Sequence, residues 1–170
     1  YTGSADVGRD IKNFKAALAK TPATEAFMPV AAPASVIPDR ENEFYKTEDE
    51  LLDAIGKAMH QEYKAIVDAG MLVQLDDARM AVTFDRMVPP ASMADYKKWA
   101  GKLVAVMNHA LEGIPEDRVR YHVCWGSWPG PHTTDVPLRD IVDLLVKVKA
   151  GAYLIEGANP RHDHEWKVWK

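Results

Sequence analysis

The sequence predicts an α/β protein with about four to five parallel strands and intervening helices. Three observations carry that expectation. Short segments rich in β-branched and aromatic residues alternate with longer ones whose apolar residues recur every three or four positions. The connections between successive strands are long enough for helical crossovers, which parallel pairing requires. Residues capable of chemistry fall just after the predicted strands, where α/β folds gather their ligand and catalytic groups.

In chain order, a short helix over Ile11–Lys20 precedes a first strand at Ala26–Val30, and the proline-bearing stretch Pro29–Pro38 reads as the βα loop after it. Glu48–Ala69 reads as a helix because Leu51, Leu52, Ile55, Met59, Tyr63 and Ile66 share one face. Thr47 with Glu50 forms a capping box at its start, and Gly70 stops it. The second strand is Met71–Leu75, followed by a helix through Arg79–Met87. Ser92 stands ahead of a helix at Ala94–Leu111, on which Tyr96, Trp99, Leu103, Val104 and Met107 line one side. Val119–Cys124 is the third strand, Pro137–Ala150 the next helix and Ala152–Ile155 the fourth strand. Four or five strands are half of an eight-stranded barrel, whose usual length is about 250 residues. On that reading, residues 1–170 are a single partial barrel domain, a fragment of a longer chain, in keeping with its opening at Tyr1 rather than methionine. The alternative is a complete small open sheet with two edges to protect.

A chain of 170 residues that is 47% hydrophobic and 27% charged suits one globular core. Lys+Arg 21 and Asp+Glu 25 are interspersed, with no basic stripe, so nucleic acid is not an expected partner. No apolar run approaches the roughly 18 residues of a membrane span, and the polar segment Tyr1–Arg9 lacks the regions of a signal peptide. The expectation is a soluble, cytoplasmic protein. The lone cysteine, Cys124, excludes an internal disulfide and leaves a thiol to be explained by packing, metal ligation or nucleophilic attack.

His122-Val123-Cys124 places imidazole and thiol two residues apart, on the same face of a strand, while Val123 turns toward the helices. Imidazole and thiolate together suit zinc, and Glu156, just past the fourth strand, is placed to add a carboxylate. The competing reading is ordinary: H-x-C recurs by chance, buried cysteine is usually packing, and an acid after a strand also caps the next helix. Gln74, Asp76 and Asp77 follow the second strand, where the two aspartates can equally serve as N-cap and first-turn acid.

Taken in order, Gln74-Leu75-Asp76-Asp77, His122-Val123-Cys124 and a Leu-Ile-Glu strand end at Glu156 resemble the catalytic domain of cobalamin-independent methionine synthase. The runs Cys124-Trp125-Gly126-Ser127-Trp128-Pro129-Gly130-Pro131-His132 and Ala158-Asn159-Pro160-Arg161-His162-Asp163-His164-Glu165-Trp166 are similar to the short synthase-like branch that includes epoxyalkane:coenzyme M transferases. The resemblance spans about Phe27 to Trp166. It implies a TIM-type (β/α)8 barrel in which Zn2+ binds a substrate thiol and makes it a nucleophile toward an alkyl carbon. His122, Cys124 and Glu156 would be the metal ligands and the catalytic centre, and Asp76 would bind the amino group of homocysteine. The donor would be a folate, a methylcorrinoid or an epoxide. The family's second cysteine ligand lies further toward the C-terminus and has no counterpart here, and the coenzyme M branch uses histidine and two cysteines, which sets Glu156 apart.

Alternatives follow from the same residues. An acceptor bearing a sulfonate would gain nothing from Asp76 and would favour an arginine facing the pocket. A non-catalytic barrel fragment, completed by the remainder of the barrel or a second chain, is the reading outside enzymes. His162 and His164 read as a hydrogen-bonded or solvated loop more readily than as a second metal site. His132 and Asp135 are expected to order the loop over the site or to contact substrate, Trp125 and Trp128 to pack or wall a pocket, and His60 and His109 to lack chemistry.

Overall fold

In the computed structural model, which describes residues 1–37 and 41–170, four parallel strands form one sheet with their helices in between. Helix α1 (Ser4–Lys20) precedes β1 (Phe27–Ala31). A short turn of helix at Pro33–Val36 and helix α2 (Glu48–Asp68) lead into β2 (Leu72–Asp77). Helices α3 (Val82–Met87) and α4 (Met93–Ala110) connect to β3 (Val119–Val123), and α5 (Leu138–Leu145) connects to β4 (Ala152–Ile155). A final helical turn covers Asp163–Trp169. This α/β architecture is consistent with part of a barrel. Among the described residues no helix is long and apolar enough to cross a membrane.

The strand order β1-β2-β3-β4 repeats the chain order. Right-handed crossovers between sequential parallel strands put α2, α4 and α5 on the same side of the sheet. That side is the core. Val73, Leu75, Tyr121 and Val123 point into it and are fully buried, against Tyr63 and Ile66 of α2, Tyr96 and Met107 of α4, and Ile141 and Leu145 of α5. Tyr63 donates to the Ala31 carbonyl and Tyr96 to the Met80 carbonyl, each at 2.7 Å, so both phenols bury their rings while satisfying their hydroxyls.

At α2 only the Thr47 half of the expected capping box forms, because the Glu50 carboxylate reaches one residue further back, to Lys46. Thr47 Oγ1 accepts from the Glu50 N–H at 3.1 Å, and the Glu50 carboxylate accepts from the Lys46 N–H at 2.9 Å. Ser92 and Asp95 form a complete capping box on α4, each side chain accepting from the other's backbone N–H. Gly70 closes α2 at φ +91, a conformation open to glycine.

Several boundaries move. Helix α1 begins at Ser4 rather than Ile11, because its first turns are polar and show no apolar period; Arg9 pairs there with Asp6 at 2.6 Å. Pro29 lies inside β1 rather than in the following loop, which an edge strand tolerates, while Pro38 falls outside the described residues. Helix α3 starts at Val82, after an Asp77-capped turn, and α5 ends at Leu145 rather than Ala150. Strand β3 ends at Val123, leaving Cys124 just beyond the ladder.

Candidate functional site

Parallel register aligns Ala31, Asp76, His122 and Leu154 across the four strands. Paired residues in a sheet project to the same side, and alternation makes that side the one away from the helices. Asp76 and His122 are therefore neighbours on the open face, at the carboxyl ends of β2 and β3, and both are half-buried. The next register pair, Val123 with Ile155, faces the core and closes the ladder, and Cys124 and Glu156 follow directly after it at the two strand ends.

Cys124 is half-buried and Glu156 exposed. Burial pushes the Cys124 thiol above its ordinary value, and the carboxylates of Glu156, Asp77 and Asp76 push the same way. The Gly126 backbone N–H, donated to the sulfur, opposes them. Gly126 reaches that position with φ +87, where a side chain would be strained. The sulfur thus sits among negative charges, a setting that favours a cation.

Asp77 anchors the strand end from the other face. Its Oδ1 accepts from the Arg79 and Met80 N–H groups at 2.9 and 2.8 Å, and its Oδ2 accepts from the Tyr121 hydroxyl at 2.9 Å. Complete burial nevertheless raises its pKa, with those three donors and the nearby His122 opposing. This fixes Asp77 as the capping acid of the β2 turn and leaves Asp76 on the open face. There the Gln74 amide donates to Asp76 Oδ1 at 2.8 Å.

The donor set of imidazole, thiol and carboxylate matches zinc in kind, and the electrostatics match it in sign. Convergence is another matter. Among the described residues no three His, Cys, Asp or Glu side chains come close enough to hold a metal ion. Asp76 and His122 share a register position and Cys124 feels Glu156, but the expected three ligands are not gathered at one point.

A polar chain under the β3–α5 loop joins residues that sequence reasoning left separate. His162 Nδ1 meets Glu165 Oε2 at 2.7 Å and its Nε2 meets Asp135 Oδ2 at 3.0 Å. Asp135 Oδ1 meets His132 Nδ1 at 3.1 Å, and His132 Nε2 meets the Trp128 carbonyl at 2.9 Å. Glu165 Oε1 accepts from the Leu138 N–H at 2.7 Å, at the start of α5. His132 and Asp135 thus order the loop as expected, and His162 is a loop-bonding residue, whereas His164 is exposed. Trp125 packs in the core while Trp128 is 71% exposed. Glu165 was missed, though its three-residue spacing from His162 was readable.

A cleft of about 400 Å3 opens beside this chain, bounded by His132, Asp135, Arg139, Arg161 and Lys167, and it contains none of His122, Cys124 or Glu156. A smaller one of about 130 Å3 lies between Glu156 and the His162–Glu165 pair.

No family model matches the chain. A methionine synthase of Saccharolobus islandicus (strain Y.G.57.14 / Yellowstone #1) is 24% identical over 122 residues, which cover 70% of this chain and 32% of that protein. The chain therefore spans about a third of the length of the curated relative it matches, and its similarity to methionine synthase is a distant one.

Proposed function

We propose that the chain is the thiol-activating part of a methyltransferase-like enzyme, with His122, Cys124 and Glu156 as zinc ligands, Asp76 as the contact for a substrate amino group, and homocysteine as the acceptor. The observation that carries this reading is the Asp76–His122 register pair on the open face, followed just past the end of β3 by a Cys124 thiol acted on by the carboxylates of Glu156, Asp77 and Asp76. Distant similarity to a protein named methionine synthase supports it.

Zinc, when bound, would favour the thiolate of the substrate and hold it as a nucleophile. The chain's own residues would supply position. Gln74 holds one oxygen of Asp76, orienting the carboxylate toward an ammonium group on the open face. Asp77 holds the β2 turn from behind, so Asp76 keeps its direction. The open face at the carboxyl ends of the strands is where a methyl or alkyl donor, whether folate, methylcorrinoid or epoxide, would approach. The rest of a (β/α)8 barrel, from a longer chain or a second one, would complete the site, of which residues 1–170 are one partial domain.

Metal analysis of the purified chain tests this. One zinc per chain is expected, lost in His122→Ala and Cys124→Ser. In the cobalt-substituted protein a sulfur-to-metal charge-transfer band should disappear with Cys124→Ser. A chain that takes up no zinc, or whose zinc is indifferent to both substitutions, would sink the catalytic reading.

A further inference from the structure

The cleft of about 400 Å3 beside the polar chain has a charge pattern that the thiol chemistry leaves unused. It lies between the β3–α5 loop and the segment after β4, at the carboxyl ends of the strands, where α/β folds bind their ligands. Arg139 lines it from the first turn of α5, Arg161 from the segment after β4 and Lys167 from the final helical turn. Its acids, Asp135 and Glu165, are held by partners in the wall. Glu165 turns one oxygen to the Leu138 N–H and the other to His162, and Asp135 lies between His162 and His132. Both rings have their two nitrogens engaged in the same chain. Arg161 Nη1 stands 3.6 Å from Asp135 Oδ2, too far for a hydrogen bond, so its guanidinium keeps its donors. Arg139 and Lys167 are exposed and meet no carboxylate among the described residues. A chain of net charge -4 thus brings three cations from three segments to one concave site whose acids are already taken.

We infer that this cleft binds the phosphate group of a small phosphate ester, held by Arg139, Arg161 and Lys167. A phosphate monoester at neutral pH carries about two negative charges and three free oxygens, whereas a carboxylate offers a single charge and two oxygens. Three cations standing on separate segments match the first in both charge and direction. The two guanidinium groups can each take a pair of oxygens side by side, and the ammonium of Lys167 adds a point charge. The cleft is larger than a phosphate group needs, and Pro137 and Val168 give it an apolar wall for an organic remainder. None of His122, Cys124 or Glu156 lines it, so the inference stands apart from the zinc reading.

The test is calorimetry on the full chain with glycerol 3-phosphate, inorganic phosphate and succinate, in about 0.15 M chloride, where screening weakens diffuse attraction between exposed charges. Glycerol 3-phosphate should bind one per chain and about tenfold or more tighter than succinate, which has a similar total charge on two separate carboxylates. Arg139→Gln and Lys167→Gln, both at exposed positions, should each weaken it about tenfold, and Lys147→Gln, just past α5, should not. Unchanged urea midpoints in these variants show that a contact, not the fold, has been lost. Backbone amide shifts in nuclear magnetic resonance should gather at the start of α5 and over Arg161–Lys167. A tighter ester than free phosphate supports a ligand with an organic remainder, and equal affinities support the phosphate group as the part recognised. The proposal is overturned if neither phosphate binds, if succinate binds as tightly, if both glutamine variants match the wild type, or if the shifts fall on another surface.

Discussion

His162 lies almost flat against Trp125, their ring centroids 4.1 Å apart and their planes 23° from parallel, while its two nitrogens face the carboxylates of Glu165 and Asp135. No neutral tautomer makes both hydrogen bonds, since each needs a ring N–H. Removing the ring by His162→Ala takes one partner from the nearly buried Glu165, which keeps the Leu138 N–H, and one from Asp135, which keeps His132 and Arg161, so a loss of about 1–3 kcal/mol is expected in urea denaturation. His162→Phe keeps the stack and should lose nearly as much. If Phe restores most of the stability, the contact with Trp125 outweighs the hydrogen bonds.

Asp77 gives a stability effect with a defined pH direction. Burial holds its pKa above the ordinary carboxylate value, so between the two values the folded protein keeps a proton that the unfolded chain has released. Its contribution is full below the ordinary carboxylate range and is lost as pH rises through the raised value. Asp77→Asn keeps an acceptor for Arg79 and Met80 and should flatten that decline in urea midpoints measured from acidic to neutral pH. Asp77→Ala strands those two N–H groups and the Tyr121 hydroxyl, and should cost about 3 kcal/mol or more at every pH.

Alkylation reads the electrostatics at Cys124. Because the thiol is pushed up by burial and then by Glu156, its reaction with iodoacetamide should set in at higher pH than for an ordinary cysteine. Glu156→Gln removes a negative neighbour and should move the midpoint down. Added zinc should protect the thiol and release protons as it binds. A midpoint unchanged by Glu156→Gln would separate the two residues functionally.

Gly126 should be intolerant of substitution. At φ +87 an added Cβ would stand 3.1 Å from Val82 Cγ2, and an L-residue in that conformation costs about 1–2 kcal/mol. Gly126→Ala is expected to lower the urea midpoint and, by shifting the N–H that donates to Cys124, to raise the pH at which the thiol is alkylated. Wild-type alkylation in the variant would detach the loop from the sulfur.

Much of this molecule was legible because its signals are local. Leu52, Met59, Tyr63 and Ile66 announce α2 by spacing alone, and Ser92 announces α4. The strands were found from their apolar runs, and parallel pairing followed from crossover length; their sequential order is seen in the structure. Alternation correctly placed Val123 in the core and His122 on the other face, whereas Cys124 falls beyond the strand on which it was expected. The polar chain was opaque for the opposite reason: His162 and Asp135 are 27 residues apart, and only the folded loop brings them together. Whether His122, Cys124 and Glu156 close on a metal depends on side-chain directions beyond the ladder, which spacing does not specify.

The sheet's order has a consequence for how the chain is made. Each strand lies beside the one synthesised just before it, so a nascent chain can add one βα unit at a time to a growing edge without threading any segment between earlier ones. The polar residues at the carboxyl ends of the strands arrive in that same sequence: Asp76, then His122 and Cys124, and Glu156 last. A ribosome-bound chain halted before β4 would therefore present an acid, an imidazole and a thiol with no Glu156 beside them. Metal capture during synthesis, measured on chains stalled before and after β4, would time the site's assembly.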